Sequence, residues 1–185
     1  MDFSVTYFTD GLYFYTVRIV DENEETAIRS KKMIDAFNAI IGLNLNDFSI
    51  SPPFTKWLNG KIVTATYKMV EVEFEVRPEM GNPTGLLHGG VQSAILDDVI
   101  GMCTATLGLK GFLISIDFSI DFLGKARVGE KVKVKAEITR DGKNIAHADA
   151  SIHNVDGKII SLARANLLKT KYKPDYVKKV DSNQV

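Results

Sequence analysis

Residues 81 to 98 read GNPTGLLHGGVQSAILDD. Two features of that stretch could do chemistry. Gly89 and Gly90 open an apolar helical pattern, so their N–H groups lack intrahelical acceptors and sit at the positive end of the helix dipole. Neither has a Cβ, so a ligand oxygen can approach the backbone closely. Fixed donors aimed at a developing negative charge are what an oxyanion hole requires. The second feature is Asp97, a carboxylate two turns further on, which could serve as base or nucleophile. The plainer reading of the same residues is a glycine-bearing helix start with a core acid whose hydrogen bonds are satisfied.

Distance constrains the chemical reading. Asp97 is eight residues beyond Gly89, and at ~1.5 Å of rise per residue the two stand ~12 Å apart along the axis. One carbonyl carbon cannot lie ~3 Å from both. If both act on one substrate, they come from different chains. Two such helices, antiparallel about a two-fold axis, bring Gly89 of one chain to Asp97 of the other. The spacing therefore predicts an isologous dimer with two equivalent sites.

The helix that carries these groups is expected over residues 89 to 107. On a helical wheel Val91, Ala94, Ile95, Val99, Met102 and Ala105 fill one broad arc. Leu96, Ile100, Cys103 and Leu107 fill much of the opposite side, so the helix reads as buried on most faces. Ser93, Asp97, Gly101 and Thr104 form one narrow small and polar sector. Asp98 falls on the apolar arc, either paired in the core or at the dimer contact.

The elements around the helix follow from period and turn signals. Residues 5 to 20 hold two aromatic, β-branched runs about Asp10-Gly11, a hairpin signal. Residues 21 to 42 change to a helical period, with Ala27, Ile28, Met33, Ile34, Phe37, Ile40 and Ile41 on one face and Gly42 as the stop. Glu24, Glu25, Arg29, Lys31 and Lys32 read as its solvated face. Residues 43 to 60 form a connector in which Pro52 and Pro53 exclude regular structure, and Trp57 packs the extension onto the domain. Lys61 to Arg77 alternates as one long strand. Four more strands follow at 112–123, 131–140, 144–155 and 158–170, with Asp141-Gly142 and Asp156-Gly157 at two-residue turns. The lysine-rich end reads as frayed or laid on the surface. The fold class is α+β: one antiparallel β-sheet wrapped around one long central helix. Residues 1–55 form an N-terminal extension of hairpin plus amphipathic helix, 56–172 the domain, and 173–185 a tail.

Composition removes several function classes. The 185 residues include 23 basic and 23 acidic side chains, so the formal net charge is zero and there is no basic footprint for nucleic acid. Cys103 is the only cysteine. It excludes an intrachain disulfide or a cysteine-built zinc site, and it faces an apolar arc as inert core. His147 and His153 share a strand face but lack a third ligand, so they read as structural and no metal site is expected. No run is long enough to span a bilayer, and no basic n-region leads a secretory signal. The expected location is cytoplasmic, with no nucleic-acid or membrane partner.

Taken together, Asn82, the run Gly85-Leu86-Leu87-His88-Gly89-Gly90, Asp97 nine residues after His88, and Ser115 near the start of the next strand resemble a family. It is the PaaI-like (phenylacetate-type) hotdog-fold acyl-CoA thioesterases, and the resemblance covers about the last two-thirds of the chain. It implies a hotdog fold and hydrolysis of an acyl- or aryl-CoA thioester to free acid and CoA. It implies that the Gly89 N–H polarises the thioester carbonyl while Asp97 of the partner subunit acts as nucleophile or as base on water. Asn82 and His88 would shape the loop and position water or thioester, and Ser115 would assist Asp97. No cofactor is needed, since coenzyme A is part of the substrate.

The family also places the coenzyme A arm near two segments. Here they are FLGKAR (Phe122, Leu123, Gly124, Lys125, Arg127) and RDGKNI (Arg140, Lys143, Asn144), with Gly90 beside the carbonyl. The first departs from the family's pattern, which often has proline where Gly124 or Lys125 stands. Lys125, Arg127, Arg140 and Lys143 could meet the nucleotide phosphates or could be exposed turn residues. Tetramers are common in the family, but geometry alone gives only the dimer. Two alternatives stay open: a hotdog hydroxyacyl-thioester dehydratase, which would pair His88 with a carboxylate, and a non-catalytic acyl-CoA sensor. Phe112, Leu113, Met102 and residues of the extension could set pocket depth.

Overall fold

A computed structural model describes residues 3–8, 14–19, 22–48 and 50–182. Strands β1 (Phe3–Phe8) and β2 (Phe14–Ile19) pair antiparallel, from Phe3 against Ile19 to Phe8 against Phe14. The Asp10-Gly11 turn expected between them lies outside the described residues. There follow α1 (Glu22–Ala39), a 3-10 turn at Leu45–Asp47 and α2 (Pro53–Leu58). The rest of the order is β3 (Lys61–Thr66), β4 (Met69–Glu75), α3 (Gly89–Ala105), β5 (Leu113–Phe122), β6 (Lys131–Asp141), β7 (Ile145–Asn154), β8 (Ile159–Lys169) and α4 (Asp175–Asp181).

The six strands β3 to β8 form one antiparallel sheet in the order β3-β4-β6-β7-β8-β5. Alternation decides which face is covered. In β6, Val132, Val134, Ala136 and Ile138 point in while Lys131, Lys133 and Lys135 point out. The centre of the inner face is built of small residues, Ala136, Ala148, Ala150, Ala163 and Ala165, all buried. Small side chains there let a helix lie close to the sheet. Helix α3 takes that place, packing on β4, β6 and β7 and reaching β5 and β8, with Ile95, Leu96, Val99, Ile100 and Cys103 fully buried.

Several elements differ from the expectation. Residues 61 to 77 are a hairpin, not one strand. The chain reverses at Tyr67-Lys68, with Thr66 paired to Met69 and Lys68 in the left-handed region at φ 66°. A two-residue turn puts the inward set out of phase, Ala65 lying opposite Val70, but the bulge between Ile62 and Thr64 restores it, so Ile62 stays in step with Val70, Val72 and Phe74. The double proline does not exclude regular structure: Pro53 opens α2, a position where the missing N–H has no partner to lose. The end of the chain forms α4, which lies against α1 and buries Val177. The β6–β7 and β7–β8 turns are longer than two residues, spanning 142–144 and 155–158. Helix α3 ends at Ala105 rather than Leu107.

Helix α1 buries a different face from the apolar one expected. Ala27, Ile28 and Ile41 are exposed, while Arg29 and Ser30 are buried with Met33 and Ile40. The reason lies just beyond α3, where buried carbonyls of Thr106 and Gly108 need donors. Arg29 Nη1 donates to the Gly108 carbonyl and Ser30 Oγ to the Thr106 carbonyl, each at 2.6 Å. Arg29 is therefore a structural donor, not part of a solvated face.

Candidate active site

The loop before α3 is held by Asn82. Its Oδ1 accepts from the Thr84 N–H (2.9 Å), the Thr84 hydroxyl (2.7 Å) and the Leu86 N–H (3.1 Å). Its own N–H donates to the Leu86 carbonyl at 2.7 Å. Asn82 thus shapes the loop, as expected, and its carboxamide oxygen is occupied in doing so. His88 is the N-cap of α3, its Nδ1 accepting from the Gly90 N–H at 2.9 Å. That corrects one expectation, because the Gly90 N–H is already used. The Gly89 N–H stands at the first helical position, where no intrahelical acceptor exists.

The segment from Phe122 to Arg127 runs beside this helix start. Leu87 donates to the Ala126 carbonyl at 2.8 Å, and Leu86 bridges Arg127. Leu123 and Gly124 both donate to the Ile160 carbonyl, at 2.9 and 2.8 Å. The Phe122 ring lies over Gly89, so that a Cβ at Gly89 would come within 3.2 Å of it. Lys125 and Arg127 are exposed on the same loop. Gly89, Phe122 and this loop form one cluster.

A second cluster forms further along α3. Asp97 is exposed, not buried, and its Oδ1 accepts from Ser115 Oγ at 3.0 Å. A bulge at Ile116 in β5 shifts the register just past Ser115, between its pairing with Leu167 and that of Asp117 with Asn166. Of the narrow polar sector, Ser93 and Gly101 are half-buried beside Asp97, whereas Thr104 is buried. The second expected coenzyme A segment belongs to this end. Asn144 lies against Lys169, whose neighbour across the sheet is Leu113 at the start of β5. Arg140, Lys143 and Asn144 are exposed there.

Within one chain the expected site residues therefore fall into two groups. Phe122 and Leu113 mark opposite ends of the same ten-residue strand, which is ~30 Å long at ~3.3 Å per residue. Gly89 sits with the first end, while Ser115 and Asn144 sit toward the second.

Asp98, next in the chain, is half-buried. Its Oδ1 accepts from Thr55 Oγ1 at 2.7 Å, and its Oδ2 is buried without a partner. Burial, reinforced by the neighbouring Asp97 charge against the Thr55 hydrogen bond, pushes its carboxyl up to about 6. Nothing in the sequence singled out Thr55, whose role depends on α2 folding back onto α3. Trp57 is 43% exposed, stacked on Phe54 with Arg77 over its ring, and Thr55 and Leu58 are the residues that α2 buries. Cys103 is core, its thiol pushed up to about 12 by burial. His88 makes no hydrogen bond to a carboxylate among the described residues, and no group there could hold a metal ion. No described helix is long and apolar enough to cross a membrane.

Asp97 and Asp98 lie at one end of an apolar cavity of about 240 Å³ between α3 and the extension. Its walls include Phe37 of α1, Phe48 of the connector, Gly101 and Met102 of α3, and Phe112.

The family described as the thioesterase superfamily matches residues 84–161, a span that holds α3, Asp97 and Ser115. The chain is 31% identical over 107 residues to acyl-coenzyme A thioesterase 13 of Mus musculus, a match covering 56% of this chain and 74% of that protein. Among solved structures it is similar to the Escherichia coli PaaI protein of the phenylacetic acid degradation operon. That match has a TM-score of 0.60 and 20% identity, over 77% of this chain and 97% of the other. It is also similar to smu.793 of Streptococcus mutans UA159 bound to acetyl CoA, with a TM-score of 0.59 and 20% identity, over 63% of this chain and 92% of the other. The helix start, the carboxylate at its fixed spacing, the curled antiparallel sheet and these likenesses agree: the chain belongs to the thioesterase superfamily and is a PaaI-like hotdog-fold thioester hydrolase.

Proposed function

We propose that the chain hydrolyses an acyl- or aryl-CoA thioester at a site shared between two copies of itself. Gly89 of one copy supplies the oxyanion donor and Asp97 of the other acts on the carbonyl carbon. The observation that carries this reading is the exposed Asp97 carboxylate, held by Ser115 and facing outward from its own chain rather than toward its own Gly89. A relative named for acyl-coenzyme A thioesterase activity and a fold neighbour bound to acetyl CoA supply the substrate class.

The edge of the sheet supports the two-copy arrangement. Strand β5 pairs with β8 on one side only, and it exposes Ile114 (48%) and Ile116 (54%). A long apolar edge of this kind is a template for another strand. Pairing β5 with its two-fold copy would lay the two α3 helices alongside each other in opposite directions. The Phe122 loop of one chain would then meet the Asn144 turn of the other, joining the two segments expected to carry the coenzyme A arm.

In the water route, the Asp97 carboxylate takes a proton as the water oxygen bonds to the thioester carbon. The negative charge passes to the carbonyl oxygen, where the Gly89 N–H and the helix dipole hold it. Collapse breaks the C–S bond, and the departing thiolate takes the proton back from Asp97. In the direct route, Asp97 itself bonds to the carbon, the C–S bond breaks and the departing thiolate takes a proton from water, and a second water then opens the resulting anhydride to release the free acid and restore the Asp97 carboxylate. A thioester is reactive enough that one carboxylate and one strong dipole suffice without a Ser-His-Asp triad.

The test is thiol release from a panel of acyl-CoAs, phenylacetyl through palmitoyl, with the wild-type chain beside Asp97→Asn. Turnover by the wild type that falls roughly a hundredfold or more in the variant is expected for a positioned base. Binding without turnover of any thioester would leave a sensor in place of an enzyme.

A further inference from the structure

The cavity beside Asp97 is built by parts of the chain that precede the family match. Its far wall is α1 and the connector, through residues such as Phe37 and Phe48, whereas the matched span begins at residue 84. Its near wall is α3, where Gly101 follows Asp97 by one helical turn and Ala105 by two. A Cβ added at Gly101 would meet nothing within 4 Å, so the helix leaves this space open. Phe112 also lines it.

The extension is fixed to α3 at both ends of that cavity. Thr55 grips Asp98 directly behind Asp97, and Arg29 and Ser30 grip the carbonyls after α3. The cavity therefore lies between tied elements rather than loosely associated pieces. Apart from Asp97, Asp98, Ser51 and Thr55, the side chains around it are apolar.

Resting on the hydrolase reading above, we propose that the N-terminal extension forms the acyl pocket and restricts the substrate to neutral, apolar acyl groups of medium length. A thioester carbon at Asp97 has its sulfur side toward the helix start of the partner. Its acyl group then runs past Gly101 and Ala105, beneath α1. Cavities of about 150 Å³ lined by aliphatic and aromatic side chains hold benzene, so one of about 240 Å³ is larger than a ring alone needs. At roughly 30 Å³ per water-sized group, it takes about eight non-hydrogen atoms beyond the carbonyl. Linear chains near octanoyl or decanoyl and arylacetyl groups meet that size, while palmitoyl does not.

The test is kcat/KM against acyl length, from acetyl-CoA to palmitoyl-CoA with phenylacetyl-CoA included, for the wild type, Gly101→Leu and Phe37→Ala. The leucine side chain enters the open space beside Asp97, and the alanine removes the opposite wall. The wild type should peak at medium length. Gly101→Leu should lower the octanoyl-to-butanoyl ratio at least tenfold, the scale of a methylene refused by an apolar pocket. Phe37→Ala should move the optimum to longer or bulkier groups. Ratios within one variant cancel any general loss of folded protein, and either variant suffices if the other does not fold. Wild type inactive on every thioester would overturn the hydrolase reading and the pocket with it. Wild type active, with both variants keeping its length profile or losing all lengths equally, would overturn the pocket alone.

Discussion

Asp97 and Asp98 are adjacent carboxylates with opposite fates, and the difference is one of environment. Asp97 faces outward and is hydrogen-bonded by Ser115, while Asp98 is turned inward to Thr55 with one oxygen unpartnered. The wheel set Asp97 in a polar sector and Asp98 on the apolar arc, yet a core acid was one reading of Asp97, because a wheel cannot tell a core face from an exposed one. Two predictions belong at this scale. Ser115→Ala should lower kcat for the best thioester about tenfold with little change in KM, less than the loss from Asp97→Asn, since it removes a positioning hydrogen bond and not the carboxylate. Asp98 gives a pH prediction. Its folded value of about 6 stands above the ordinary 3.8, so between those values the native state holds the extra proton. Stability then falls as pH rises through that window, by on the order of 3 kcal/mol in total. Asp98→Asn removes this fall, so its melting temperature should exceed that of the wild type at about pH 7.5 but not at about pH 4. Equal differences at both pH values would contradict the assignment.

At the scale of elements, β6 to β8 and α3 were legible because each has an uninterrupted period and a marked end. Strand β3 was not separated from β4, since Tyr67-Lys68 carries none of the usual turn residues and the bulge after Ile62 keeps that residue in step with Val70, Val72 and Phe74. The buried face of α1 was misread for a different reason. Arg29 and Ser30 go inside to satisfy carbonyls at the end of α3, a demand set by another element more than seventy residues away. That docking can be tested at Gly108, which lies in the left-handed region at φ 69° with the Thr26 carbonyl where a Cβ would go. Gly108→Ala should destabilise the protein by about 2 kcal/mol or more, through strain at positive φ plus the displaced helix. Urea unfolding measures it, and a loss within about 0.5 kcal/mol would mean that α1 is not held there.

For the whole molecule, the decisive feature is that the expected site residues divide between the two ends of β5. The sequence anticipated this from the helix rise alone, as a distance too great for one carbonyl carbon to span. The edge proposed above for the contact was not legible, because the exposed Ile114 and Ile116 stand on a strand whose pairing order is a property of the assembled sheet. Ile114→Lys with Ile116→Lys should shift the chain toward monomer in sedimentation velocity and lower thioesterase activity at least tenfold in parallel, the far-ultraviolet dichroism staying unchanged. The most direct test of the shared site mixes two variants that are each inactive. Asp97→Asn lacks the carboxylate, and Gly89→Val covers the oxyanion donor. Coexpressed with distinct tags, they form mixed dimers in which one of the two sites joins an intact Gly89 to an intact Asp97. Random pairing should then restore about a quarter of the wild-type activity, and purified mixed dimers about half. Mixed dimers as inactive as either parent would place both groups of each site in one chain and contradict the account.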